Sequence, residues 1–118
     1  MATADRLHLD VDLAAVGPVV ERHYPEAIGI WLYGSHAHGR ARPGSDLDIG
    51  VLGASRLPSR WDDVDRVSEV GRELGCEVDL VDLRVVSPVL RFEVVTRGRR
   101  VASRDPFACD LFETTTLS

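Results

Sequence analysis

Gly34-Ser35-His36-Ala37-His38-Gly39-Arg40-Ala41-Arg42-Pro43-Gly44-Ser45-Asp46-Leu47-Asp48 is the stretch whose reading decides the fold. Ahead of it, Ile28 to Tyr33 is a short apolar run bounded by Gly34, which reads as a buried strand. Gly34 to Arg42 reads as a turn or short helix, Pro43-Gly44 as a turn, and Asp46 to Leu52 as a second strand. Residues two apart on a strand share a face, with Cα atoms about 6.6 Å apart at a rise of about 3.3 Å per residue. Asp46 and Asp48 therefore converge, while Leu47, Ile49 and Val51 point into the core. Paired carboxylates on a rigid strand suit a hard divalent cation, Mg²⁺ above all.

A third strand is expected over Cys76 to Leu83, with Val78 and Leu80 on one face and Glu77, Asp79 and Val81 on the other. If it pairs with the second strand, Asp79 can join Asp46 and Asp48. Glu77 and Asp82 are its rivals, and strand parity removes only Asp82. Three carboxylates would support two metal ions about 3.5–4 Å apart, an arrangement that stabilises the attacking and leaving oxygens of phosphoryl transfer. The Gly34-Ser35 corner adds an anion site. Backbone N–H groups freed where a helix-like turn begins, beside a serine hydroxyl, favour phosphate, and glycine lets the backbone approach closely.

Working outward, the chain reads as one α/β (α+β) domain spanning residues 1–118, with four strands flanked by helices. A helix is expected between Asp12 and His23, kinked or restarted at Gly17-Pro18. Another should follow Ser59 and Asp62, which form an S-x-x-D capping-box pattern ahead of Trp61, Val64, Val67, Val70 and Leu74, and Gly75 should cap its end. Pro88 to Arg97 reads as a helix stopped by Gly98, Arg100 to Ser103 as an edge strand, and Asp105 to Thr114 as a last helix. The chain stops at Thr114-Thr115-Thr116-Leu117-Ser118 with neither cap nor polar tail, so a natural continuation is expected.

Composition excludes several chemistries together. All 14 basic residues are Arg, and the chain has no Lys, Asn or Gln. That removes a Walker A loop, a kinase lysine, a Schiff-base enzyme and an asparagine-dependent hydrolase. A net charge of −5 argues against direct binding of nucleic acid. No apolar run approaches the roughly 20 residues that span a bilayer, and the N-terminus is no secretory signal, so a cytoplasmic location is expected. Cys76 and Cys109 lack metal-ligand spacing and read as buried free thiols.

The segment from Gly34 to Asp48, with pattern G-S-x-A-x-G-x(5)-S-D-x-D, resembles the minimal nucleotidyltransferases of the DNA polymerase beta-like superfamily. Val78-Asp79-Leu80-Val81 resembles their third-carboxylate strand. Leu90-Arg91-Phe92-Glu93-Val94 and Arg104-Asp105-Pro106 extend the likeness to MntA-type antitoxins partnered by HEPN ribonuclease toxins. The resemblance implies a nucleotidyltransferase fold with a small mixed sheet, ATP as substrate and two Mg²⁺ ions. It implies that Gly34 and Ser35 hold the triphosphate, that Asp46, Asp48 and Asp79 hold the metals, and that Asp79 helps to deprotonate the acceptor. That acceptor would be a tyrosine of the toxin, silenced by AMPylation. One departure is visible: His36, with His38 two further on, stands where an Arg is expected after the Gly-Ser pair.

Other polar features have plainer readings. His36 and His38 are expected to be exposed turn histidines, and Arg40 and Arg42 to be solvated. Trp31, Tyr33 and Trp61 should be packing residues. Asp62, Asp63 and Asp65 suit the positive end of a helix, and Arg97, Arg99 and Arg100 should guard a sheet edge. Two other functions compete with the enzyme: an antitoxin that masks its toxin sterically, and a nucleotidyltransferase acting on a small molecule. The intact carboxylate set speaks against the first. A chain of this length leaves no room for the acceptor domain that the second usually carries.

Overall fold

The computed structural model describes residues 12–38 and 45–118. The Pro43-Gly44 turn, Arg40, Arg42 and the side chain of His38 lie outside the described residues.

The first helix, α1 (Leu13–His23), begins where the Asp12 carboxylate accepts the Ala14 N–H at 3.1 Å. It runs unbroken through Pro18, against the expected restart. Pro18 is exposed, so the carbonyl it leaves unbonded one turn earlier can turn to water. Val16, Val19 and Val20 form its buried stripe. Strand β1 (Ala27–Tyr33) follows, then a 3₁₀ turn over Ser35–His38, then β2 (Leu47–Gly53).

Helix α2 (Val64–Leu74) is capped differently from the sequence expectation. Asp63, not Ser59, is the N-cap, and its carboxylate accepts the Arg66 N–H at 3.0 Å. Trp61 stands outside the helix, packed edge-on against Tyr24 with centroids 5.5 Å apart. Val64, now the first helical residue, is exposed, and Val70 and Leu74 carry the burial. Gly75 ends the helix in the left-handed conformation (φ 76°).

The remaining elements are β3 (Val78–Asp82), α3 (Pro88–Arg97), β4 (Arg99–Ser103) and α4 (Pro106–Leu117). Ser87 and Asp105 cap the two helices, accepting from Leu90 and Ala108 N–H groups. The sheet is mixed, ordered β3-β2-β1-β4, with β2 and β3 parallel and the other pairs antiparallel.

Strand alternation on β1 sorts the core into two layers. Ile30 and Leu32 join Leu47, Ile49, Val51 and Leu80 beneath α1 and α2. Trp31 and Tyr33 join Leu52, Leu83, Val94, Cys109 and Phe112 beneath α3 and α4. Trp31 is almost fully buried, and its indole N–H donates to Glu113 at 3.0 Å. Among the described residues, no helix is long and apolar enough to cross a membrane.

Candidate active site

Three strands bring the site together. Tyr33 of β1 lies opposite Asp48 of β2, and Asp48 lies opposite Asp79 of β3. Partners in register share a face, so Tyr33, Asp48 and Asp79 form a row across the sheet, on the side covered by α3 and α4. Asp46 stands one residue before β2 and is exposed; the next residue, Leu47, donates its N–H to the Glu77 carbonyl at 2.9 Å. The structure thus assembles Asp46, Asp48 and Asp79 at one end of the sheet.

Of the rivals for the third carboxylate, Asp82 is engaged elsewhere. Asp82 is buried, and its two oxygens accept the Leu57 N–H and the Arg84 N–H, each at 2.9 Å. It braces two loops. Glu77 precedes β3 and is exposed.

The charges of the row act on each other. Burial pushes the Asp48 carboxyl above its ordinary range, and the carboxylates of Asp79 and Asp46 push the same way, with His36 opposing them. Tyr33 is pushed up to about 12 by burial, then by Asp48, Asp79 and Glu93. Among the described residues, no three His, Cys, Asp or Glu side chains form a closed set of metal ligands.

The turn beside the row is tight. Gly34 has φ 75°, and a Cβ there would lie 2.2 Å from Oδ2 of Asp48. The Ala37 N–H closes the turn onto the Gly34 carbonyl at 3.1 Å, and Ala37 packs on the core. Ser35, half-buried, opens the turn.

Residues 18–107, most of the chain, match the family model described as Polymerase beta, Nucleotidyltransferase. The chain belongs to that family. Protein adenylyltransferase MntA of Shewanella oneidensis is 40% identical over 74 residues, which cover 61% of this chain and 51% of the relative. The match therefore spans about half of that protein's length. Among solved structures, a toxin-antitoxin crystallised with AMP-PNP has a chain 31% identical at a TM-score of 0.76, over 90% of this chain and 84% of that one. A tri-AMPylated Shewanella oneidensis HEPN toxin in complex with its MNT antitoxin gives 28% identity and a TM-score of 0.71, over 92% and 83% of the two chains.

Several nucleotidyltransferase residues differ from the sequence expectation. His36 is buried, not exposed, because the 3₁₀ turn folds it inward, and its Nε2 lies 3.4 Å from the Ser45 carbonyl. Arg100 is exposed on the edge strand β4 as expected, and in addition it pairs with Asp110 at 2.8 Å and lies over the Trp31 ring. Arg97 and Arg99 are exposed as expected. Cys109 is buried, but Cys76 only half so. Sequence reasoning missed Arg91, whose guanidinium donates to the carbonyls of Leu83, Arg84 and Val86 and fixes the loop leading from β3. A lone Arg on a helix gives no signal of such a role.

Proposed function

We propose that this chain is a Mg²⁺-dependent nucleotidyltransferase antitoxin that transfers AMP from ATP to a tyrosine hydroxyl of a cognate HEPN-type toxin and so neutralises it. The observation that carries the reading is the register of Asp48 and Asp79 beside the Gly34 turn. The relatives named above, one an adenylyltransferase and one an antitoxin complexed with an AMPylated toxin, support the choice of nucleotide and acceptor.

The donor set fits Mg²⁺ in a particular way. This ion is usually held by one or two carboxylates together with substrate phosphates, not by an all-protein cage. Carboxylates that share a face yet form no closed set suit that division. They repel one another, and a cation would relieve that repulsion.

In the reaction, Gly34 and Ser35 hold the triphosphate through backbone N–H groups and the serine hydroxyl. Asp46 and Asp48 would hold the metal together with the substrate phosphates, with Asp79 beside Asp48 on the same face. Mg²⁺, when bound, neutralises charge on the phosphates and acidifies the attacking hydroxyl. Asp79 takes the proton of that hydroxyl on its carboxylate as the oxygen attacks the α-phosphorus. The α–β bridging P–O bond breaks and pyrophosphate leaves.

The test is to incubate the protein with ATP, Mg²⁺ and the product of the neighbouring gene, then weigh that product by mass spectrometry. A gain of AMP that vanishes in Asp46→Ala and Asp48→Ala is expected. Neutralisation that persists in both variants without any mass gain would overturn the enzyme in favour of steric masking.

A further inference from the structure

His36 is a buried polar side chain beside the site to which the proposed reaction gives no task. It lies in the turn after Gly34-Ser35, is 7% exposed, and contacts the Ser45 carbonyl through Nε2 at 3.4 Å. A carbonyl can only accept, so Nε2 carries the proton in this contact. Ser45 directly precedes Asp46, and the 3₁₀ turn itself packs against both β1 and β2. The ring thus spans from the turn to the chain entering β2.

We infer that His36 is a positioning residue, a buried strut whose Nε2–H ties the Gly34-Ser35 turn to the backbone just before Asp46. The inference rests on the proposed function for its consequence: the triphosphate turn and the metal carboxylates are held as one unit. Sheet pairing of this segment starts at Leu47, so the contact reaches the chain two residues ahead of the first ladder pair. The imidazole also lies close enough to Asp48 to oppose the repulsion there. A donor is what the position demands; a ring that merely fills space would not fix the carbonyl.

Three variants separate donor from volume. His36→Gln keeps an amide donor near the Nε2 position, His36→Phe keeps the ring and removes the donor, and His36→Ala removes both. Two readouts apply: amide hydrogen exchange at Leu47 in the metal-free protein, and the affinity for ATP with Mg²⁺ by calorimetry. In His36→Phe and His36→Ala, exchange at Leu47 should quicken and affinity weaken, each by about five- to tenfold, the effect of one net hydrogen bond. His36→Gln should recover most of both. If His36→Phe matches the unmodified protein in both readouts, the ring is packing only and the inference is overturned. If the unmodified protein binds no ATP with Mg²⁺ while His36→Phe still quickens exchange at Leu47, the strut stands and the proposed function falls.

Discussion

The space beside Gly34 is filled by the carboxylate of Asp48, so that a Cβ at residue 34 would come within 2.2 Å of Oδ2. Two separate demands thus fall on one glycine: its φ of 75° is unfavourable for any L side chain, and its missing Cβ makes room for the aspartate. Gly34→Ala should cost about 1–2 kcal/mol for the left-handed backbone alone and should also displace Asp48. Chemical denaturation will read the first effect. The second should appear as a loss of AMP transfer beyond what the unfolded fraction explains. A Gly34→Ala protein with full activity per folded molecule would show that Asp48 can move without consequence.

Asp48 also sets a pH dependence. Its carboxyl is raised by burial and then by Asp79 and Asp46, so the folded protein favours the protonated form. Such a group contributes stability below its unfolded pKa and loses that contribution as pH rises through the folded pKa. In metal-free buffer, Asp48→Asn should therefore be more stable than the unmodified protein near neutral pH. Solvent screening holds the gain to at most about 1 kcal/mol. The gap should close at pH values below the ordinary carboxylate range. Added Mg²⁺ with ATP should reverse the order, because only the unmodified protein can bind it fully. Urea midpoints at the two pH values, with and without Mg²⁺ and ATP, check all three statements.

Much of this was legible in the sequence. The Gly-Ser corner, the alternation of Asp46, Leu47, Asp48 and Ile49, and the parity of Asp79 against Asp82 are local patterns. Strand geometry converts them directly into faces. The parallel pairing of β2 with β3 was not local, since α2 and its loops intervene. His36 was misread because a polar side chain is buried by what folds over it, and its neighbours in sequence do not reveal that. His36 is covered where the 3₁₀ turn packs on β1 and β2. The pairing of exposed Arg100 with Asp110 and Glu113 of α4 was likewise not local in sequence.

Helix α2 offers a clean test of local misreading. The S-x-x-D pattern pointed to Ser59, but Asp63 makes the capping bond. Asp63→Ala should lower stability by about 1 kcal/mol through loss of that bond and of a negative charge at the helix start. Ser59→Ala, at an exposed position before the turn, should be neutral within about 0.5 kcal/mol. Thermal melts of the two variants decide it, and equal effects would mean that Ser59 has a capping role which the structure does not assign.

Asp79 and Asp82 lie three residues apart on one strand, yet they should fail in opposite ways. Asp79 is exposed and faces Asp48, so Asp79→Ala removes a repelling charge from the row and no bond on which folding depends. It should keep or slightly raise the melting temperature while AMP transfer falls by a factor of roughly 100 or more, as for loss of a group that acts on a reacting proton. Asp82→Ala removes the acceptor of the Leu57 and Arg84 N–H groups; the buried Leu57 donor left unpaired costs about 1–3 kcal/mol, while exposed Arg84 can turn to water. It should melt far earlier, yet the molecules still folded should transfer AMP at a near-normal rate. Asp82→Asn, whose amide oxygen can still accept, should recover part of the stability. Activity normalised to the folded fraction, measured well below each melting temperature, separates the two residues. Near-normal transfer by Asp79→Ala would return the third-carboxylate role to Glu77, the remaining acidic residue on that face of the strand.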